Sequence, residues 1–375
     1  MDTNAVNEYL AHVADFRKRY LESAFERSEV ICAPNDFLSW REKCVHLGLA
    51  VPLDTSVFNE KKSATIFAGG AALQFYLLSL KEIAEANVSL ALATHALLLN
   101  NALLQFFSST KIESDTLYIH PHGRTNLARL ALAHFLSGKT TVDDPSFLSE
   151  HFDLSQPLWL YATKAPQHIL APAYNKKTHA LSWGIYKADL YRDINTLSTH
   201  GWDELSYLEV QVGDLISPLD NIDTHSAQTL LANLLAMQAL VQVAVGAGAL
   251  ERALKKMQRY ISERKQGGVL IQEHAAVRRM VGQVVHTIET VKLSLNGAVY
   301  AHGDFITIQS ALSIKANLLP QMQSAANAAL QAFGGYGFMR DYGMEKIMRD
   351  INSLALYAGT PSAIELFLSA YRGGI

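Results

Sequence analysis

Residues 331–350 read QAFGGYGFMRDYGMEKIMRD. They follow SIKANLLPQMQSAANAAL (313–330), whose apolar residues return at three- and four-residue intervals, as on a helix with one buried face. Gly334 and Gly335 end that periodicity. Glycine tolerates left-handed backbone and lets a chain approach a flat or charged ligand closely, although the pair by itself is an ordinary helix C-cap.

A second corner lies upstream in YISERKQGGVLIQEHAAVRRM (260–280). Glu263, Arg264 and Lys265 close one long helix, Gly267 and Gly268 reverse the chain, and another helix starts near Gln272. A solvated hairpin end would look the same. The alternative is that Arg264 holds a phosphate through charge-assisted bonds. Two such corners together suggest a large phosphate-bearing cofactor anchored on the surface of a helical bundle.

Working outward, helical periodicity covers 227–263, 272–299 and 305–333, with a last helix from Pro361, lengths that suit an antiparallel four-helix bundle. Ahead of it the texture changes to short β-type segments, TLYIHP, PLWLYAT, HILAPAY, HALSWGIY and LSYLEVQV, punctuated by Pro, Gly, Asn and Asp. That spacing predicts a compact antiparallel barrel or sandwich, with a helical insertion in RTNLARLALAHFLSG (124–138). Helix formers dominate before residue 110, broken by APNDF and VPLDTSVFNEKKS, and 89–107 is their most apolar helix. The expected fold is mainly α with a central β domain: an N-terminal helical domain (1–112), a middle β-barrel (113–223) and a C-terminal four-helix bundle (224–375).

Composition narrows the function. The 375 residues carry 32 Lys and Arg against 35 Asp and Glu, a net charge of −3, so no basic field exists to draw nucleic acid. Cys32 and Cys44 are the two cysteines, too few for a disulfide framework and suited to a reducing cytoplasm. The start, MDTNAVNEYLAHVADFRKRY, lacks the basic lead and apolar core of a secretory signal. Two uncharged runs, 88–107 and 229–250, approach the length of a membrane span, but Asn100, Asn101, Asn233, Gln238 and Gln242 interrupt them, and buried core helices are expected instead.

Several smaller motifs carry little. GAGALE (246–251) lies inside a long apolar helix and not after a strand, so its glycines are read as close helix packing and not as a dinucleotide loop. His120 and His122 in YIHPHG lack a third ligand of suitable spacing, and no metal is expected. Neither a Gly-x-Ser-x-Gly elbow nor a His-Glu-x-x-His helix is present.

The ordered set ERKQGG…IQEH, QAFGGYGF…EKIMRD and LYAGT resembles the C-terminal domain of the acyl-CoA dehydrogenase family. LEVQVGDLISPLDNI (208–222) is similar to the end of that family's β domain, and VSLALATHALLL (88–99) to a buried helix of its N-terminal domain. The resemblance implies the three-domain fold above, assembled as a homodimer or homotetramer with FAD between subunits. It implies that Arg264 meets the FAD pyrophosphate, that Gln331, Gly334 and Gly335 approach the cofactor of a neighbouring subunit, and that Thr360 and His274 make further contacts. LYATKA (160–165) resembles the family's aromatic-x-Thr segment, which would put Tyr161 beside the isoalloxazine and the Thr163 hydroxyl near flavin N5. Two departures stand out: Gly267 replaces a Phe of many relatives, and YIHPHGRTN has Pro121 where the family's flavin loop has Thr.

The largest departure concerns the base. In the family a Glu directly before Gly-Thr removes the proton next to the thioester carbonyl while a hydride passes to the flavin. Here that position is Ala358. The alternative site on the long first bundle helix falls on Gln238, with Ala239 in place of the usual Arg. Catalytic residues are therefore unassigned from sequence, and three readings stay open. One is a dehydrogenase whose proton leaves by another route, such as a displaced Glu365. The others are a flavin monooxygenase of the same fold and a catalytically silent partner subunit. Implied partners are an acyl thioester on CoA or an acyl carrier protein, and an electron acceptor protein or O2.

Overall fold

The computed structural model describes residues 3–26, 31–48, 70–106, 112–119, 127, 130–137, 152–175, 180–193, 200–218, 224–300 and 307–373. The segment 51–63 and residues 120–126, with His120 and His122, lie outside them.

The chain opens with helices α1 (Thr3–Phe16), α2 (Pro34–Val45), α3 (Gly70–Ala86) and α4 (Val88–Phe106). Strand β1 (Leu117–Ile119) and a short helix α5 (Leu130–Leu136) lead into β2 (Leu158–Ala162), β3 (His168–Asn175), β4 (Ala180–Asp193) and β5 (Ser206–Pro218). The five strands form one curled sheet in the order β1-β3-β4-β5-β2. All neighbours are antiparallel except β1, which runs parallel to β3 with Leu117 opposite His168. That parallel pair departs from the all-antiparallel sheet the sequence led one to expect, because β1 is separated from its partner by an excursion and not by a hairpin.

The C-terminal helices are α6 (Thr224–Glu263), α7 (Ala275–Tyr300), α8 (Ile308–Ala332), α9 (Met344–Leu356) and α10 (Pro361–Leu368). Between α6 and α7 the chain makes a two-stranded hairpin, Lys265–Gln266 with Val269–Leu270, turned by Gly267 and Gly268 at φ +63° and +86°. Helix α9 is not among the helices expected from the sequence, where EKIMRD belongs to the glycine corner, yet Ile347, Ile351 and Leu354 repeat at helical spacing and are buried.

Helix α6 is apolar on every face because it is surrounded. Its run His225–Glu263, like Val88–Gln105 of α4, is long and apolar enough to cross a membrane, but 83% of its most apolar window is buried inside the protein. The glycines of GAGALE are packing residues. A Cβ on Gly246 would sit 2.7 Å from Met322 Sδ of α8, and one on Gly248 would overlap the Lys81 carbonyl oxygen of α3. N-terminal and C-terminal helices consequently share a single apolar core, with a smaller cluster around Leu160, Val210 and Ile169 inside the sheet.

One buried polar network fixes the layers relative to one another. Glu204, just ahead of β5, accepts from Asn87 Nδ2 at 2.8 Å and Ser89 Oγ at 2.6 Å, and pairs with Lys346 Nζ of α9 at 3.2 Å. Lys346 also pairs with Asp350 at 3.0 Å, and Asp350 accepts from the Trp202 backbone N–H at 2.7 Å. Trp202 needs that grip: its φ of +60° is unfavourable for a bulky residue, and such a conformation persists only where the surroundings over-determine it. The network thereby holds the indole where the site is built.

Candidate functional site

Trp202 forms part of the wall of a cavity of about 130 Å³ enclosed by α2, α4, the sheet, α6 and the turn after α9. Each element contributes by its periodicity. Positions 92, 96 and 99 of α4 and 234, 238 and 241 of α6 return at helical spacing to line it, mostly with apolar side chains. Strand β2 delivers Tyr161, and Thr163 follows one residue beyond its end. The Tyr161 ring stacks on Tyr207 at 4.7 Å and meets Trp202 edge-on at 4.9 Å.

Ala358 lies in a strained turn. Its φ is +55°, uncommon for a residue with a Cβ, and Gly359 follows at +104°. Lys315 of α8, fully buried, holds this turn by donating to the carbonyls of Tyr357 at 2.7 Å and Ala358 at 3.1 Å. Burial pushes its ammonium pKa down to about 7. The side chain the turn presents to the cavity is Tyr357. Its hydroxyl meets that of Tyr118 at 2.9 Å and bonds the Gln238 side chain, while burial raises both phenol pKa values. Two neutral phenols and an amide therefore stand next to Ala358, the position at which the resemblance implies a carboxylate. Glu365, the displaced acid considered from sequence, is exposed on α10 and is not among the residues lining the cavity.

Three cavity residues carry charge or basicity that the sequence reading missed. His95, on α4, shares a hydrogen bond with Tyr76 through Nδ1 and Oη 2.7 Å apart, and burial lowers its pKa to about 4, so the imidazole is neutral at pH 7. Asp115 is bonded by Lys164 across the cavity mouth. Arg41, on α2, donates from Nη1 to Thr163 Oγ1 at 2.9 Å.

The expected cofactor residues fall into two groups. Tyr161 and Thr163 stand together at the cavity. Arg264 is exposed, with its guanidinium 5.4 Å from the centre of the Tyr336 ring, next to Gly334 (φ +60°) and Gly335, where an added Cβ would meet nothing within 4 Å. Gln331 is exposed on the last turn of α8, and His274 caps the hairpin through Nε2 to the Gln266 carbonyl at 3.2 Å. Thr360 is the N-cap of α10, accepting from the Ala363 N–H at 3.3 Å. The Arg264 corner is absent from the cavity lining, so one chain does not bring the two groups into one pocket.

These residues fit a flavin dinucleotide. Thr163 Oγ1 already accepts a bond from Arg41, which leaves its own hydrogen to be donated to an acceptor such as an oxidised flavin nitrogen. The exposed cation beside open glycine backbone suits a diphosphate.

Comparison with known proteins agrees. Residues 228–366 match the sequence model of the acyl-CoA dehydrogenase C-terminal domain. A short-chain-specific acyl-CoA dehydrogenase of Clostridium acetobutylicum is 28% identical over 171 residues, a match that spans 44% of each chain. Butyryl-CoA dehydrogenase of Megasphaera elsdenii superimposes with a TM-score of 0.68 at 15% identity, covering 100% of this chain and 99% of that one. The prolyl acyl carrier protein oxidase AnaB superimposes with a TM-score of 0.69 at 13% identity over 100% of both chains. Residues 228–366 are thus similar to the acyl-CoA dehydrogenase C-terminal domain, the chain matches less than half the length of the curated relative, and the solved structures share its fold over nearly the whole chain.

Proposed function

We propose that this protein is an FAD-dependent oxidoreductase acting on an acyl thioester, carried on CoA or on an acyl carrier protein, without a carboxylate at the family's usual position. The observation that carries the reading is the Thr163 hydroxyl, set on the wall of a mainly apolar cavity beside Tyr161 with a hydrogen left to donate. When bound, FAD supplies the acceptor for a hydride from the substrate β carbon. The apolar walls from α4 and α6 hold the acyl chain and exclude water. Tyr161, fixed by Tyr207 and Trp202, supports the flavin ring, while Arg264 and the Gly334–Gly335 corner of a second copy hold the diphosphate. With Ala358 and Gln238 unable to take a proton, the neutral His95 imidazole, in the tautomer that donates Nδ1–H to Tyr76 Oη, would receive on Nε2 the one leaving the α carbon.

The carrier-protein option draws support from the full-length similarity to AnaB, and an electron-transferring flavoprotein or O2 accepts the electrons. The missing carboxylate also favours a second reading, an oxygenase of the same fold, which needs no such base. The test is reconstitution with FAD followed by anaerobic titration with acyl-CoA and acyl-pantetheine esters. Flavin retention and bleaching are expected. A protein that retains no FAD under excess cofactor contradicts the proposal, and turnover that consumes O2 only with an external reductant selects the oxygenase.

A further inference from the structure

Among the residues lining the cavity the permanent cations are Arg41 and Lys164, and their situations differ. Lys164 is exposed at the mouth and paired with Asp115. Arg41 is 4% exposed, and among the described residues it has no ion pair and its buried Nε–H has no hydrogen-bond partner. Burial lowers the Arg41 pKa, while Asp115 and Glu42 lie near enough to favour its charge without an ion pair to it, and the Asp115 carboxylate is engaged by Lys164. A buried guanidinium that no carboxylate pairs with among the described residues is costly to maintain, and the natural remedy is an oxyanion in the adjoining cavity.

Resting on the thioester reading above, we propose that Arg41 anchors a carboxylate carried by the substrate, so that the preferred acyl group is a short diacid. Position sets the length. Arg41 bonds the Thr163 hydroxyl, which on the reading above would face the flavin nitrogen that accepts the hydride, so an anion held by Arg41 would lie beside the reacting β carbon and not at the end of a long chain. A succinyl group has its second carboxylate on that carbon.

The experiment compares FAD-loaded wild type, Arg41→Gln and Arg41→Lys by flavin absorbance and thermal stabilisation. The probes are succinyl-CoA, butanoyl-CoA and free succinate. Expected are at least a roughly tenfold tighter binding of the succinyl than the butanoyl ester by wild type, loss of that preference in Arg41→Gln, and partial retention in Arg41→Lys. If neither ester binds but succinate stabilises wild type and not Arg41→Gln, the carboxylate site stands and the thioester reading falls. Equal affinity for the two esters in wild type overturns the inference. So does a variant whose FAD affinity or flavin potential alone changes, which would assign Arg41 to the cofactor.

Discussion

Trp202 divides two polar regions of opposite character. Behind it, toward α9, Lys346, Glu204, Asp350, Asn87 and Ser89 satisfy one another. In front of it, in the cavity, Arg41 and Gln242 each hold a buried polar atom without a partner. Both regions bury charge at comparable depth, so burial alone does not mark a site. What separates scaffold from binding surface is whether the hydrogen-bonding capacity is already used.

The strongest way to break this contrast is to remove the central cation of the satisfied region. Lys346→Met leaves Asp350 and Glu204 facing each other without a counter-ion, and the ammonium pKa, raised by those partners despite burial, shows how tightly it is held. A loss of about 3–5 kcal/mol in unfolding free energy by chemical denaturation is expected. A variant as stable as wild type would mean that the network contributes nothing.

Gly248→Ala comes next. A Cβ there meets backbone of α3 and not a flexible side chain tip, so α3 and α6 must separate. A destabilisation of roughly 1–3 kcal/mol, read as a lowered urea midpoint, is expected. A neutral result would show that the two helices do not approach as closely as the structure places them.

A third test sets the two buried lysines against each other by pH. Lys315 has its folded pKa lowered from 10.5 to about 7, so between those values the unfolded chain binds more protons and stability rises with pH. Lys346 has its folded pKa raised, so its contribution is already complete below 10.5 and flat in the same interval. Between about pH 7 and 8.5, below the ordinary thiol value of buried Cys44, stability should climb toward a limiting slope of about 1.4 kcal/mol per unit. Lys315→Met should abolish that slope and Lys346→Met should leave it. A flat wild-type profile would contradict the assignment.

Why part of this was legible in the sequence follows from range. Gly267 with Gly268, and Gly334 with Gly335, are signals between neighbours, and the motifs built on them located the bundle and the two glycine corners proposed to hold the cofactor. Arg41 and Thr163 lie 122 residues apart, and Tyr118 and Tyr357 lie 239 apart, so nothing local announces either pair. His95 sits in an apolar helical run where a histidine reads as core. The parallel β1–β3 pairing and the left-handed Trp202 are likewise set by tertiary contacts, and Ala358 could be recognised as a lost carboxylate while the phenols that fill its place could not.

The smallest expected effect carries the opposite sign from the first. If Arg41 is a cation waiting for a ligand, replacing it in the ligand-free protein removes a desolvation penalty as well as one hydrogen bond to Thr163. Arg41→Met should therefore leave stability within about 1 kcal/mol of wild type, on either side, in contrast to Lys346→Met. Wild type should then gain stability on adding succinate, by an amount that grows logarithmically with concentration above the dissociation constant, and the variant should not. A large loss from Arg41→Met without ligand would place Arg41 with the satisfied network, and the boundary at Trp202 would no longer separate scaffold from site.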